Sequence, residues 1–379
     1  LAPFLCGAVM SGCAVGPDYQ RPESVLPAQY SEAAAPAQPV AMATRDWWKL
    51  FNDPVLDDFV ARAFARNYDL QKAAARIEEA SGFVRETRAG QFPEVDLGAD
   101  VTREHISELT YDPPSPGAPL TTRDYNVSLR AAFELDFWGR LRRASEAARA
   151  QALASEYGKR VVELSLAGAV TQTYLSLRSL DAQLAVSQET LAARDESFSI
   201  TNVRYQSGLA SGLDVEQARG AKAAAEAQIA DLRQQRAVAE HQLGVLTATP
   251  DLTLDAGDLR ALPLPPLPPA GLPSDLLNAR PDIREAEQQL VAANARIGVA
   301  KAALFPTISL TGSVGSESGA LADLFKSRSG IWSVGAGLDF PIFAAGKYSA
   351  RVDQATAQQK QLLASYQQSV LNGFRDVRD

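Results

Sequence analysis

Cysteine, histidine and methionine are nearly absent, with two of each in 379 residues. That scarcity argues against a His/Cys zinc centre, a disulfide framework or a thiol redox enzyme. His105 and His241 have no clustered partners, and no nucleophile, base and orienting group recur together, so the pattern is not that of an enzyme. Acidic residues outnumber basic ones 45 to 37, giving a net charge of −8, which argues against a broad nucleic-acid surface. No run of 18 apolar residues occurs, which excludes a membrane-crossing helix. A β-barrel is not excluded, because its strands carry a weaker sequence signal.

What is abundant is alanine, 65 residues of it. Alanine is the best helix former and the smallest core residue, so long, closely packed helices are expected. From Arg140 to about Tyr205 there is no proline, which predicts one very long helix. A turn, "YQSGLASGLD" at 205–214, leads into a second helix to Leu246. Helices of this kind form either a plain antiparallel coiled-coil scaffold or a wall around a lumen.

The chain repeats itself. With a shift of 213, Asp69 meets Asp282, Ala80 meets Ala293, Val84 meets Ile297, and Phe92-Pro93 meets Phe305-Pro306. Farther on, "AFELDFWGR" ending at Arg140 corresponds to "GLDFPIFAAGK" ending at Lys347. Each half reads helix, strand, loop, strand, long helix. By that register the counterparts of residues 173–247 are expected beyond Asp379.

Four runs alternate with period two. Val95, Leu97, Ala99 and Val101 form the apolar side of the first. Tyr125 to Phe137 form the second, Ile308, Leu310 and Val314 the third, and Trp332 to Ile342 the fourth. Each is about 10 residues or slightly more, the length that crosses a bilayer when tilted. A soluble half-buried sheet gives the same alternation. The polar sides carry Glu94, Asp96, Asp100, Glu134, Asp136 and Asp339 against Arg130. These read as solvated side chains, or as the lining of a mildly cation-favouring pore. Trp138 and Trp332, near strand ends, are candidate interface anchors. Four strands cannot close a barrel, so several chains would have to contribute. "DLTLDAGD" at 251–258 has Ala256 where a calcium loop needs glycine, and reads as a turn.

At the amino-terminal end, apolar residues 1–10 fit the h-region of a secretory signal. "MSGC" at 10–13 resembles a lipobox, which implies diacylglycerol and acyl modification of Cys13 and no other cofactor. A single lipid chain anchors only marginally, so more than one attachment is expected.

Several segments together resemble the outer membrane factor (TolC-like) family, in its NodT-type lipoprotein branch. They are "CAVGPDYQRP" at 13–22, "DWWKLFNDPVLDDFVARAFARNYDLQKAAARIEEA" at 46–80, "LPSDLLNARPDIREAEQQLVAANARIGVAKAALFPTISLTGSVG" at 272–315 and "FPIFAAGK" at 340–347. The resemblance implies an α+β membrane protein of TolC-like fold. Long helices form an α-helical barrel, and four strands from each of three protomers complete a 12-stranded β-barrel. It implies a homotrimer in the outer membrane of a Gram-negative bacterium, with helices reaching into the periplasm. Its partners are a periplasmic adaptor (membrane fusion) protein, an inner-membrane resistance-nodulation-division pump and outer membrane lipid, with no nucleic acid. The function implied is passive passage of exported compounds in a tripartite efflux system. The alternatives are a lipid-anchored periplasmic coiled-coil scaffold without a pore and the outer membrane part of a type I secretion system.

The turn "RYQSGLASGLDVEQA" at 204–218 resembles the family's periplasmic tip. By that resemblance Ser207, Gly208 and Leu209 meet the adaptor. Asp214, Arg204 and Tyr205 are gate candidates, and Asp214 is alternatively the N-cap of the next helix. The expected organisation is a signal remnant at 1–12, a lipid-anchored segment at 13–53, a first repeat at 54–250, a Pro-rich linker at 251–275 and a second repeat at 276–379.

Overall fold

The structure is a computed structural model that describes residues 14–23, 46–107, 109, 117, 119–265 and 276–378. Cys13, the signal remnant 1–12, most of the segment 13–53, the tip of the first hairpin loop and the second part of the Pro-rich linker lie outside the described residues.

Helix α1 (Pro54–Arg66) starts where Asp53 accepts the N–H groups of Val55 and Leu56, with Pro54 at the first helical position. Helix α2 (Tyr68–Ala89) follows, its first N–H groups held by the Asn67 side chain. Strands β1 (Glu94–His105) and β2 (Thr121–Leu135) form a hairpin, and α3 (Arg140–Gln206) leaves it. At ~1.5 Å per residue, the 67 residues of α3 extend on the order of 100 Å. Helix α4 (Gly212–Leu246) returns along the chain. After a four-residue α5 (Leu276–Ala279) come α6 (Pro281–Ala302), β3 (Thr307–Ser318), β4 (Gly330–Asp339) and α7 (Lys347–Arg378).

The repeat is exact in its first half. Adding 213 to the bounds of α2 and β1 gives those of α6 and β3, and adding 207 to the start of α3 gives the start of α7. No described helix is long and apolar enough to cross a membrane.

The chain forms two compact units that cut across the repeats. One holds Ile77–Ser155, Ile283–Asn372 and the described amino-terminal segment. Its buried residues are mostly small or branched, as in Ala292, Ala293, Ala295 and Ile297 of α6. The other holds Glu156–Asp282, residues 46–76 and the last residues. Its core packs Leu56, Phe59, Val60 and Ala63, one stripe of α1, with Leu166, Val170 and Tyr174 of α3 and Leu243 of α4. The larger of these side chains each contribute about 1.5–3 kcal/mol by leaving water.

All four strands join one antiparallel sheet in the order β1-β2-β3-β4. β2 begins earlier than its apolar alternation, at Thr121, and β3 continues to Ser318. Phe137, Phe340 and Ile342 fall outside the strands, because the chain turns toward helices there.

Candidate functional site

Strand register sorts the side chains onto two faces. Leu97, Leu129, Val314 and Trp332 stand in one row across all four strands, with Val95, Ala131, Gly312 and Val334 in the next. The large apolar side chains of these rows are exposed, Trp332 by 78% and Val334 by 81%. The other face carries Asp96, Arg130, Ser313 and Ser333 in one row, and Asp100 opposite Asn126 beside Glu317 in another. Glu94, Glu134 and Asp339 share that polar face. Arg130 reaches Asp100 at 3.5 Å, and Arg140 holds Glu134 through two bonds of 2.9 and 2.6 Å. The outer edges of β1 and β4 have no partner strand among the described residues.

Asp136 is not a strand residue. It lies just past Leu135, where the chain turns toward α3, and its carboxylate accepts the N–H groups of Leu141 and Arg142. It caps a helix start, which also suits its charge. Trp138 is half-buried rather than an outward anchor: it stacks on Phe305 at 4.7 Å and donates to the Pro306 carbonyl.

The turn between α3 and α4 is closed by backbone geometry. Gly208 has φ +74°, the Leu209 N–H donates to the Arg204 carbonyl, and the Gly208 N–H donates to that of Tyr205. These two bonds make a Schellman cap, which needs a left-handed residue at the glycine position. Ser211, not Asp214, is the N-cap of α4. Asp214 sits at the third helical position and completes a capping box, accepting the Ser211 N–H at 2.9 Å and its hydroxyl at 2.8 Å. Those bonds, with the charge of Arg204, hold the Asp214 carboxyl below its ordinary range. Ser207, Leu209, Arg204 and Tyr205 are all exposed, Leu209 by 72%.

The profile of the outer membrane efflux protein family matches residues 60–249 and 272–379. The chain is similar to the cation efflux system protein CusC of Escherichia coli O6:H1, 35% identical over all of this chain and 81% of that protein. It is also similar to the solvent efflux pump outer membrane protein SrpC of Pseudomonas putida, 37% identical over all of this chain and 81% of that protein. Its fold superposes on the crystal structure of the Campylobacter jejuni CmeC outer membrane channel with TM-score 0.87, 26% identity, and coverage of 97% of this chain and 78% of that one.

The chain belongs to the outer membrane efflux protein family. It is the outer membrane channel component of an efflux system, with the TolC-like fold of that family. The family is one of channels and not an enzyme class.

Two features of this outer membrane efflux protein escaped the sequence. The first is a strap formed by residues 14–21. The Val15 N–H donates to the Trp138 carbonyl, the Pro17 carbonyl accepts from Asn294, and Asp18 pairs with Arg143 at 2.6 Å. Arg21 then grips the buried Glu287 through two bonds of 2.6 and 2.8 Å, and Arg284 supports it from α6. Burial and the Glu287 charge push the Tyr19 hydroxyl up. Nothing in the spacing of Arg21 and Glu287, 266 residues apart, announces the pair. Arg21→Ala is expected to weaken strap docking by about 1 kcal/mol, since Arg21 is itself partly exposed. Limited proteolysis within 14–23 should then quicken about fivefold. Unchanged cleavage would show that the backbone contacts alone hold the strap.

The second is a buried ion network on α3 and α4. Asp181, only 2% exposed at its side chain, binds Arg236 at 2.7 Å, Arg178 at 3.2 Å and the Gly257 N–H at 3.0 Å. Glu240 accepts from Arg236 and from the Leu254 N–H. The segment 251–258 is thus a turn pinned to two helices.

Proposed function

We propose that three copies of the chain close one 12-stranded barrel through which exported compounds pass without a covalent step. The observation that carries this is the open sheet. An exposed apolar face and two unpaired edges are a liability in a lone chain. Because β1 and β4 of the four-stranded antiparallel sheet run in opposite directions, β4 of one copy can pair antiparallel with β1 of the next, which continues the alternation. Three sheets then close with cyclic symmetry, apolar face to lipid and polar face to water.

Several further readings support one another. Diacylglycerol and acyl chains at Cys13 add a second attachment to the barrel, and the strap leads from that residue to α6. Ser207, Gly208 and Leu209 present an exposed turn to a periplasmic adaptor, which links the channel to an inner-membrane pump. The pump supplies the energy. Similar identity to a cation-system protein and a solvent-pump protein fits a channel body that leaves cargo choice to its partners. The acidic excess on the polar face makes the lining mildly cation-favouring. Asp214, with Arg204 and Tyr205, is the gate candidate of this turn. The two repeats, 54–250 and 276–379, with a linker at 251–275, are the units of this architecture.

The test is single-channel conductance of the full-length protein in planar bilayers. Wild type is expected to insert as trimers with small conductance. Asp214→Ala with Arg204→Ala is expected to raise conductance at least about threefold. Trimers that insert no pores in either form would leave the pore-free lipid-anchored scaffold.

A further inference from the structure

The apolar face of the sheet carries charge at one end only. Its positions on β1 are Val95, Leu97, Ala99, Val101, Arg103 and His105, and on β2 Thr121, Arg123, Tyr125, Val127, Leu129, Ala131, Phe133 and Leu135. Every carboxylate of the four strands lies on the opposite face. Register sets Arg103 directly opposite Arg123. Both are exposed, and neither makes an ion pair among the described residues. Two like charges directly opposite in a sheet are destabilising. A tilted sheet with an otherwise apolar outer face has no internal use for such a pair.

The neighbouring rows show what lies outside. The Leu97–Leu129 row is apolar, the Val101–Tyr125 row adds a tyrosine, and the arginine row follows. Hydrocarbon, then an amphipathic aromatic, then cations is the order met on leaving a bilayer for its headgroups. From Val95 to Arg103 the strand runs about 27 Å, which at a tilt of roughly 40° is a rise of about 21 Å, so the long arginine side chains reach the edge of an apolar band ~25 Å tall. The arginine row also lies beyond the last residue of β3, Ser318, which pairs with Tyr125. On β2's other side no strand side chain among the described residues covers Arg123. His105, hydrogen-bonded to Thr121 at 2.8 Å, extends the same end.

We propose that Arg103 and Arg123 bind the phosphate groups of a phosphorylated glycolipid in the outer leaflet. Two guanidinium forks side by side match a phosphate-bearing headgroup, and the bound anion removes the repulsion between them. Three such pairs would ring the trimer and fix its depth. The inference rests on the reading that this face meets lipid. Its test is therefore made in detergent, apart from the conductance that tests the channel.

The experiment measures binding of bisphosphorylated lipid A, and of the same lipid with its phosphates removed, to the full-length protein in detergent micelles. Wild type should prefer the phosphorylated form. Arg103→Gln with Arg123→Gln should lower its affinity at least about tenfold, the double lysine variant, which keeps the charge and loses the forks, should fall between that and wild type, and heat-resistant trimers persist in both. Equal binding by the glutamine variant, or equal binding of the dephosphorylated lipid, overturns the assignment. Displacement by inorganic phosphate alone at millimolar concentration would also overturn it, in favour of a free-anion site.

Discussion

Asp181→Ala is expected to destabilise the helical unit around it by about 3–5 kcal/mol, the cost of removing one partner from a buried charge set. Two arginines depend on this carboxylate. Arg178 is left with the Tyr174 hydroxyl and the Asp255 carbonyl, and Arg236 with Glu240 and the Leu254 carbonyl. Glu240 still balances Arg236, but the neutral acceptors left to Arg178 do not balance a guanidinium whose side chain is 9% exposed. The Gly257 N–H also loses its acceptor. Asp181→Asn keeps the volume and one carbonyl oxygen, and should cost about half as much. The thermal midpoint of helix loss, followed by circular dichroism, should fall by on the order of 10 °C for the alanine variant. Proteolysis should open the segment 251–258 in parallel, because its backbone anchors share this network. Adding Arg178→Met to Asp181→Ala should recover part of the loss, since it removes the stranded charge. A midpoint within about 2 °C of wild type would mean that water replaces the carboxylate and that the network adds little.

That network shows where sequence reading stops. Arg178 and Asp181, three residues apart on a long polar helix, look like an ordinary solvated pair. They are buried because chain some 70 residues later folds back over them, and no local pattern encodes that return. Asp136 fails for a different reason. Period-two alternation continues through it, so periodicity cannot tell where the strand ends and a helix start claims the carboxylate. The repeat succeeds because it compares like with like: α6 and β3 keep the lengths of α2 and β1. The hairpin turn was legible from Gly208, since a Schellman cap selects that residue for steric reasons. The sequence does not separate the capping partners, because Ser211 and Asp214 form a reciprocal box in which either residue type suits a cap, and the structure puts the cap at Ser211. The Arg103–Arg123 pair needs the register itself, which alternation within single strands does not supply.

Register also separates two glycines that the sequence presents as alike, in "TGSVGSES" of β3. Gly312 faces the apolar side, opposite Ala131 and Val334. A methyl group built there meets nothing nearer than the Ser333 carbonyl oxygen at 3.9 Å. Gly315 faces the polar side, opposite Ser128, itself 3% exposed. A methyl group there collides with the Val127 carbonyl oxygen and lies 2.7 Å from the Ser128 Cα. Both obstacles belong to the β2 strand at its hydrogen-bonded boundary, so neither can rotate away. Gly315→Ala should therefore cost about 1–3 kcal/mol by overpacking, and Gly315→Val more. In an open sheet such spreading would relax outward. A closed barrel fixes strand number, tilt and stagger together, so the misfit between β2 and β3 has to be absorbed round the ring, three times over. Gly315→Val is thus expected to lower the frequency of pore insertion at equal protein concentration at least about tenfold, while Gly312→Ala stays within about twofold. Heat-resistant trimers on gels should fall in the same ratio. Equal insertion by Gly315→Val would show that β2 and β3 separate freely at this point, which a closed ring of strands does not permit.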